Sequence, residues 1–266
     1  MKFTKMQGLG NDYLYVYGPP PANVAALSVH LSDRHFGPGA DGMIFIEPVD
    51  SAGADFRMRI FNADGSEAKM CGNGIRCVGK YVYDKGYTDK KHLRIETLSG
   101  VKALELRLFG GRVKSVAVDM GSAAVSPERT LRVDGEDVAC TPVDVGNPHA
   151  VCFVPDAEAA PLTTLGPKIE RHAAFPGGVN VEFVQVVDGR TLRMRVWERG
   201  SGVTMACGTG SCASVAAAVA RGFCPAGEPV SVKLDGGTLH ITVAADGEMR
   251  MEGPAEFVYE GDTKIC

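Results

Sequence analysis

A large excess of charge of one sign is missing from this chain. Lysine and arginine number 28 against 32 aspartates and glutamates, a net charge of −4, and no basic block or aromatic-interleaved Lys/Arg stripe occurs. Nucleic acid is therefore not an expected partner. Long apolar runs are missing as well: nothing approaches the ~20 residues of a membrane span. The opening Met1-Lys2-Phe3-Thr4-Lys5 runs into Gly8-Leu9-Gly10-Asn11-Asp12 without the apolar core of a secretion signal. The expectation is a cytoplasmic protein with no membrane partner. Cys-x-x-Cys is absent, and the Cys71–Cys77 and Cys207–Cys212 spacings do not suit zinc knuckles. No metal site is expected. Gly208-Thr209-Gly210-Ser211 lacks the following Lys-Ser/Thr of a nucleotide loop, and Gly8-Leu9-Gly10 follows no βαβ strand. Low-complexity sequence and an obvious flexible linker are also absent.

What is present fits an ordinary globular protein. The 266 residues suit one large or two modest domains. The eight cysteines, in a chain of this length without a secretion signal, are expected as thiols. Strand patterning dominates both halves: Met43 to Ile46, Phe56 to Phe61, Leu104 to Leu108, Val113 to Met120, Val181 to Val187, Leu192 to Trp197, Val230 to Leu234 and Leu239 to Val243. Each alternates or is β-branched, bounded by turns such as Gly110-Gly111 and Asp235-Gly236-Gly237. Helices are expected over Asn23 to Asp33, with Asn23 as the cap, over Gly74 to Lys85, and over Ser211 to Arg221. Gly86 and Gly222 stop the last two. Small residues on every face of the third imply close enclosure. Pro155 to Pro176 reads as a connecting helix and loop, and Gly253 to Cys266 as a tail returning to the first domain. The halves divide near Gly121.

Two stretches 136 residues apart look like copies of one device. Arg59-Ile60-Phe61-Asn62 leads to Cys71-Gly72-Asn73-Gly74, and Arg195-Val196-Trp197-Glu198 leads to Cys207-Gly208-Thr209-Gly210. Each cysteine ends a polar, Gly-bearing loop and begins a helical segment. A helix N-terminus favours thiolate over thiol, and its outward N–H groups bind carboxylates. A substrate carboxylate held by both helix starts would place its α-carbon between two sulfurs, one to remove a proton and one to return it. The helix starts would stabilise the enolate-like charge. The alternative, two small buried core residues, is weakened by the repeated context for Cys71 and Cys207. It stands for Cys77, Cys140, Cys152, Cys212, Cys224 and Cys266. A Cys71–Cys207 disulfide would be an oxidised, inactive state.

The surrounding polar residues are less decisive alone. Glu198-Arg199 suits an ammonium and a carboxylate, or a surface ion pair. Gly146-Asn147-Pro148-His149 presents Asn147 and His149 on a rigid turn, though an isolated histidine is more often structural. Asn11, Asn62, Asn73 and Asn180 are equally consistent with ordinary turns.

Taken together, the motifs resemble diaminopimelate epimerase. Those that carry the likeness are Lys5-Met6-Gln7-Gly8-Leu9-Gly10-Asn11-Asp12, Phe61-Asn62-Ala63-Asp64-Gly65-Ser66-Glu67, Cys71-Gly72-Asn73-Gly74-Ile75-Arg76-Cys77, Gly146-Asn147-Pro148-His149, Glu198-Arg199-Gly200-Ser201-Gly202, Ala206-Cys207-Gly208-Thr209-Gly210 and Gly253-Pro254-Ala255. They span nearly the whole chain. The resemblance implies interconversion of LL- and meso-diaminopimelate without a cofactor, on the route to lysine and peptidoglycan. It implies a mixed α/β (α+β) fold of two pseudo-symmetric domains. Each would be a curved, mainly antiparallel sheet wrapped around a central helix, with the active site in the cleft between them. The domains would be residues 1–118 plus 255–266, carrying Cys71, and 119–254, carrying Cys207. It also implies a homodimer, with Tyr259 at the contact.

By the same resemblance Cys71 and Cys207 are the acid/base pair, with His149 and Glu198 beside the reacting centre. Gly72-Asn73 and Gly208-Thr209 bind the reacting carboxylate. Asn11, Asn62, Asn147, Asn180 and Arg199 hold the substrate, mostly at its distal end. Gly42 is a departure, because some members carry a substrate-contacting Gln there. Proline, hydroxyproline or histidine racemases are a second reading. Against them, a substrate lacking a second charged head would leave Arg199 and the asparagines unpaired, at roughly 1–3 kcal/mol each. An amino-acid-binding protein is the non-enzyme reading, and it leaves the paired thiols unexplained.

Overall fold

The computed structural model describes residues 1–51 and 53–264. Cys266, assigned above to the core, lies outside the described residues. In chain order the first stretch holds β1 (Lys2–Gly8), β2 (Asn11–Tyr17), α1 (Val24–Ser32), β3 (Gly42–Ser51), β4 (Ala54–Asn62), β5 (Glu67–Ala68), α2 (Gly72–Asp84), β6 (His92–Thr97), β7 (Gly100–Phe109) and β8 (Arg112–Ser122). The second holds β9 (Ala124–Val125), β10 (Arg129–Val133), β11 (Glu136–Asp144), β12 (Pro148–Phe153), α3 (Leu162–Glu170), β13 (Asn180–Asp188), β14 (Thr191–Glu198), β15 (Gly202–Val203), α4 (Gly208–Ala220), β16 (Pro229–Leu234), β17 (Gly237–Val243) and β18 (Glu248–Gly253). Last comes β19 (Glu256–Asp262). Two compact units result: Met1–Val118 with Gly253–Cys266, and Asp119–Glu252.

Both units are built to one plan. In the first, β1 pairs antiparallel with β19 and with β2, β3 with β4, β6 with β7, and β7 with β8. Its parallel pairs are β2–β3 and β4–β6. The second repeats this order. β11 pairs antiparallel with β10 and β12, β13 with β14, β16 with β17, and β17 with β18, while β12–β13 and β14–β16 are parallel. A parallel pair cannot be joined by a tight hairpin and needs a crossover. Each of the four crossovers is a helix: α1 and α2 in the first unit, α3 and α4 in the second.

Helices α2 and α4 are the central pieces, buried along nearly all their length. Each begins earlier than its composition suggests, at Gly72 rather than Gly74 and at Gly208 rather than Ser211. The glycines are poor helix formers, but the capping cysteine recruits them. Each helix ends alike. Gly86 (φ +78°) and Gly222 (φ +72°) take the left-handed conformation, and Tyr87 N–H and Phe223 N–H return to the carbonyls of Val82 and Ala218. Asn23 does precede α1, but its side chain makes no capping hydrogen bond.

α2 buries charge as well as apolar surface. Arg76, fully buried, donates to Gly72 O, Asn73 Oδ1 and Pro254 O. Lys80 pairs with Asp84 at 3.0 Å and donates to Val113 O. Partners of this kind are what make a buried cation tolerable. One buried apolar cluster gathers around Leu14, Met43, Phe45 and Phe61, and another around Val181, Phe183, Ile169 and Leu131. Cys77, Cys140, Cys152, Cys212 and Cys224 are buried. Burial pushes the Cys77 and Cys140 thiols up to about 11, which suits inert packing residues. No helix among the described residues is long and apolar enough to cross a membrane.

Candidate active site

In each unit the cysteine is itself the helix cap. Cys71 (φ −136°, ψ 117°) and Cys207 (φ −122°, ψ 114°) have extended backbone, and each sulfur accepts the N–H three residues on, from Gly74 and Gly210, at 3.3 Å. The glycines three residues on are closely packed. A Cβ on Gly74 would meet Ile44 Cδ1 at 2.7 Å, and one on Gly210 would meet Glu182 Oε1 at 2.7 Å and Cys207 Sγ at 3.2 Å.

Beside Cys71 lie an amide and a phenol, with the Asp41 carboxylate behind the amide. The Cys71 thiol donates to Asn11 Oδ1 at 3.3 Å. The amide is oriented by Asp41, which can only accept, and takes Asn11 Nδ2 at 2.7 Å. Tyr13, buried, shares its hydroxyl between the Asn11 and Cys71 side chains, and burial followed by the Cys71 and Asp41 charges keeps it a phenol. Asn62 closes β4, held to Ser66 through Nδ2–Oγ at 3.0 Å and N–O at 2.8 Å. Asn73 is held by Arg76 at 3.0 Å.

Around Cys207 the groups are charged. Glu198 ends β14 and accepts from the Thr204 hydroxyl. Burial raises its carboxyl above the usual glutamate value, with Glu182 adding to the rise and Thr204, His149 and the Cys207 thiol opposing it. His149, on β12, has Nδ1 at 2.6 Å from Glu182 Oε1 and Nε2 at 3.2 Å from Asn147 Oδ1. Thr209 Oγ1 lies 3.5 Å from the sulfur. Burial, then the Glu198 and Glu182 carboxylates, push the Cys207 thiol well up against the opposing pull of Thr209 and the Gly210 N–H. A helix start was expected to favour thiolate. Here desolvation outweighs the helix dipole, and Cys207 stands as the thiol at neutral pH.

Asn180 joins this group structurally. Its Oδ1 accepts Arg199 N–H at 2.9 Å and its Nδ2 donates to Pro148 O at 3.2 Å. Arg199 is exposed, with Nη1 on Gly177 O at 2.9 Å. Asn11, Asn62, Cys71, Gly72 and Asn73 thus lie in the first unit, and Asn147, His149, Asn180, Glu198, Arg199, Cys207, Gly208 and Thr209 in the second. Tyr259 has partners of its own within the first unit. It is exposed on β19, packs edge-on against Phe3, and donates to Pro38 O at 3.1 Å.

Several contributors escaped the sequence reading. The 136-residue offset continues beyond the cysteine loops: Asn11 and Tyr13 correspond to Asn147 and His149. Glu182 is a carboxylate inside the apolar strand β13, a pattern break that marks it. Glu170 takes Trp197 Nε1 at 2.7 Å and Gly200 N–H at 3.0 Å, bracing the loop that bears Arg199. Gly42 also gains a reason. A Cβ there would lie 2.2 Å from Phe61 O and 3.0 Å from the Tyr13 ring, so this backbone has no room for a Gln.

The duplicated α/β fold also appears among solved structures. A phenazine biosynthesis protein of the PhzF family from Bacillus anthracis matches with a TM-score of 0.79 at 16% identity, covering 100% of this chain and 99% of that one. A probable proline racemase from Agrobacterium radiobacter matches with 0.75 at 18%, covering 100% and 93%. At such identity the likeness is one of fold. Sequence goes further. The family model for diaminopimelate epimerase matches residues 3–126 and 141–258. The chain is 48% identical to the diaminopimelate epimerase of Acetivibrio thermocellus, covering 100% of this chain and 99% of the relative. Against that of Phocaeicola vulgatus it is 49% identical, with the same coverage. The chain belongs to the diaminopimelate epimerase family, a family of isomerases.

Proposed function

We propose that this protein interconverts LL- and meso-diaminopimelate by a two-thiol mechanism, in lysine and peptidoglycan precursor biosynthesis in the cytoplasm. The observation that carries the reading is the repeated cysteine cap with unlike surroundings. One sulfur contacts the Asn11 amide, the other is held as a thiol by burial and carboxylates.

In the direction started by Cys71, its thiolate removes the α-proton, so the C–H bond breaks and the proton moves to Sγ. The carbanion's charge spreads into the carboxylate, which the N–H groups of Gly72-Asn73 and Gly208-Thr209 stabilise. Cys207 delivers its proton to the opposite face and becomes the thiolate, so the next conversion runs in reverse. His149 and Glu198 set the protonation of Cys207. Asn11, Asn62, Asn147, Asn180 and Arg199 hold the distal amino-acid end. The Cys71 domain comprises Met1–Val118 with Gly253–Cys266 and the Cys207 domain Asp119–Glu252, and the active protein is a homodimer with Tyr259 at the contact. No cofactor enters this scheme.

The test uses purified, reduced protein assayed against LL-diaminopimelate and against proline. The reading expects epimerisation of the first only, and a fall of about 10²-fold or more in C71A and in C207A. Faster turnover of proline, or undiminished turnover in either variant, would overturn it.

A further inference from the structure

The two copies of the device differ at one buried position that the mechanism above does not use. Gly74 and Gly210 correspond across the repeat. The atom that crowds the first is Ile44 Cδ1, and the atom that crowds the second is Glu182 Oε1, both at 2.7 Å from the ideal Cβ. Strand register agrees. Ile44 stands opposite Tyr15, and Glu182 opposite Val151, which is the residue 136 positions further on. One copy therefore keeps an aliphatic side chain where the other keeps a carboxylate.

That carboxylate is costly. The Glu182 side chain is fully buried, and its Oε2 has no hydrogen-bond partner among the described residues. A buried, half-satisfied carboxylate costs free energy that an isoleucine would not. Oε1 lies 2.6 Å from His149 Nδ1, and both side chains are fully shielded from solvent. Histidine faces the carboxylate through one nitrogen and Asn147 through the other. The corresponding pair in the first unit is Tyr13 with Ile44, which carries no charge.

We propose that Glu182 is a positioning residue of the Cys207 half-site: it fixes the His149 ring with a proton on Nδ1 and places a fixed negative charge behind the Gly210 turn. The proposal rests on the two-thiol reading and deepens it. It accounts for the unlike surroundings of the two sulfurs, one capped turn backed by a buried carboxylate and the other by an isoleucine. Other groups bear on the same sulfur. They are Glu198 from β14, and Thr209 with the Gly210 N–H from α4, while His149 from β12 bears on Glu198. Cys152, on β12 near Glu182, is held as a thiol by burial and adds no charge.

The test compares E182Q and E182D with the wild type in pH profiles of kcat/KM, with the Cys207 and Cys71 alkylation rates read separately by peptide mass spectrometry. Cys207 is the acid at rest, so its deprotonation forms the alkaline limb. Removing the Glu182 charge makes that deprotonation easier. In E182Q the alkaline limb and the Cys207 alkylation curve are expected to move to lower pH by roughly one unit, with Cys71 unmoved. E182D, which keeps the charge, should restore the limb. A folded E182Q with both curves unmoved would overturn the proposal, whatever its kcat. Proton NMR of the wild type with ¹⁵N-labelled histidine stands independently of any variant's folding. It expects a protected, downfield Nδ1 proton on His149, and an Nδ1 without a proton would overturn the proposal. Retained turnover in C207A would instead sink the two-thiol reading, and the NMR result distinguishes the two failures.

Discussion

A thiol at a helix start is pulled two ways. The N–H of Gly210 and the helix dipole favour the anion, while removal from water and two nearby carboxylates oppose it, and for Cys207 the second group wins. Glu198 shows the same competition. Burial raises its carboxyl above the ordinary glutamate value of 4.5. A group whose folded pKa lies above its unfolded value binds more protons when folded, so it lowers stability as pH rises past the unfolded value. E198Q removes that penalty along with the function. The variant should be inactive, and its melting temperature relative to wild type should rise between about pH 4 and pH 7. Parallel thermal scans at both pH values check this, and a constant difference would count against a strained Glu198.

Strand alternation and the thiol-bearing loops made the elements legible, because a half-buried strand and an amphipathic helix leave different periods in the chain. The helix starts were less so. Gly72 and Gly208 enter their helices on the strength of a cysteine cap that propensity does not register. Glu182 was hidden for the opposite reason. It sits within an apolar run, and only the register β12–β13 and the turn at Gly210 reveal what it faces. Gly42 was legible only as a departure, and its cause lies in the β3–β4 pairing, which sets it opposite Asn62 and under Phe61 O. G42A should therefore cost about 1–3 kcal/mol, read as a lower denaturation midpoint in urea, with G42Q no better tolerated. A neutral G42A would mean the strand yields more easily than its pairing implies.

At the scale of the whole molecule, duplication supplies two copies of one thiol-presenting frame, and the residues behind each thiol have diverged. The tail strand β19 completes the first unit against β1 and leaves Val258 and Tyr259 exposed. If that face is the homodimer contact, Y259A should shift the sedimentation coefficient toward that of a 28.1 kDa monomer. An unchanged dimer would place the contact elsewhere.

The central claim is that one carbon is served by two different thiols. Reaction of protiated LL-diaminopimelate in deuterated water, stopped after a few per cent conversion and read by mass spectrometry and proton NMR, tests it most directly. Two bases predict meso product carrying one solvent deuterium at the inverted carbon, with the remaining LL substrate still protiated. Protium retained at that carbon in the product, or deuterium in the uninverted substrate, would mean that a single base works on one face, and would contradict the account.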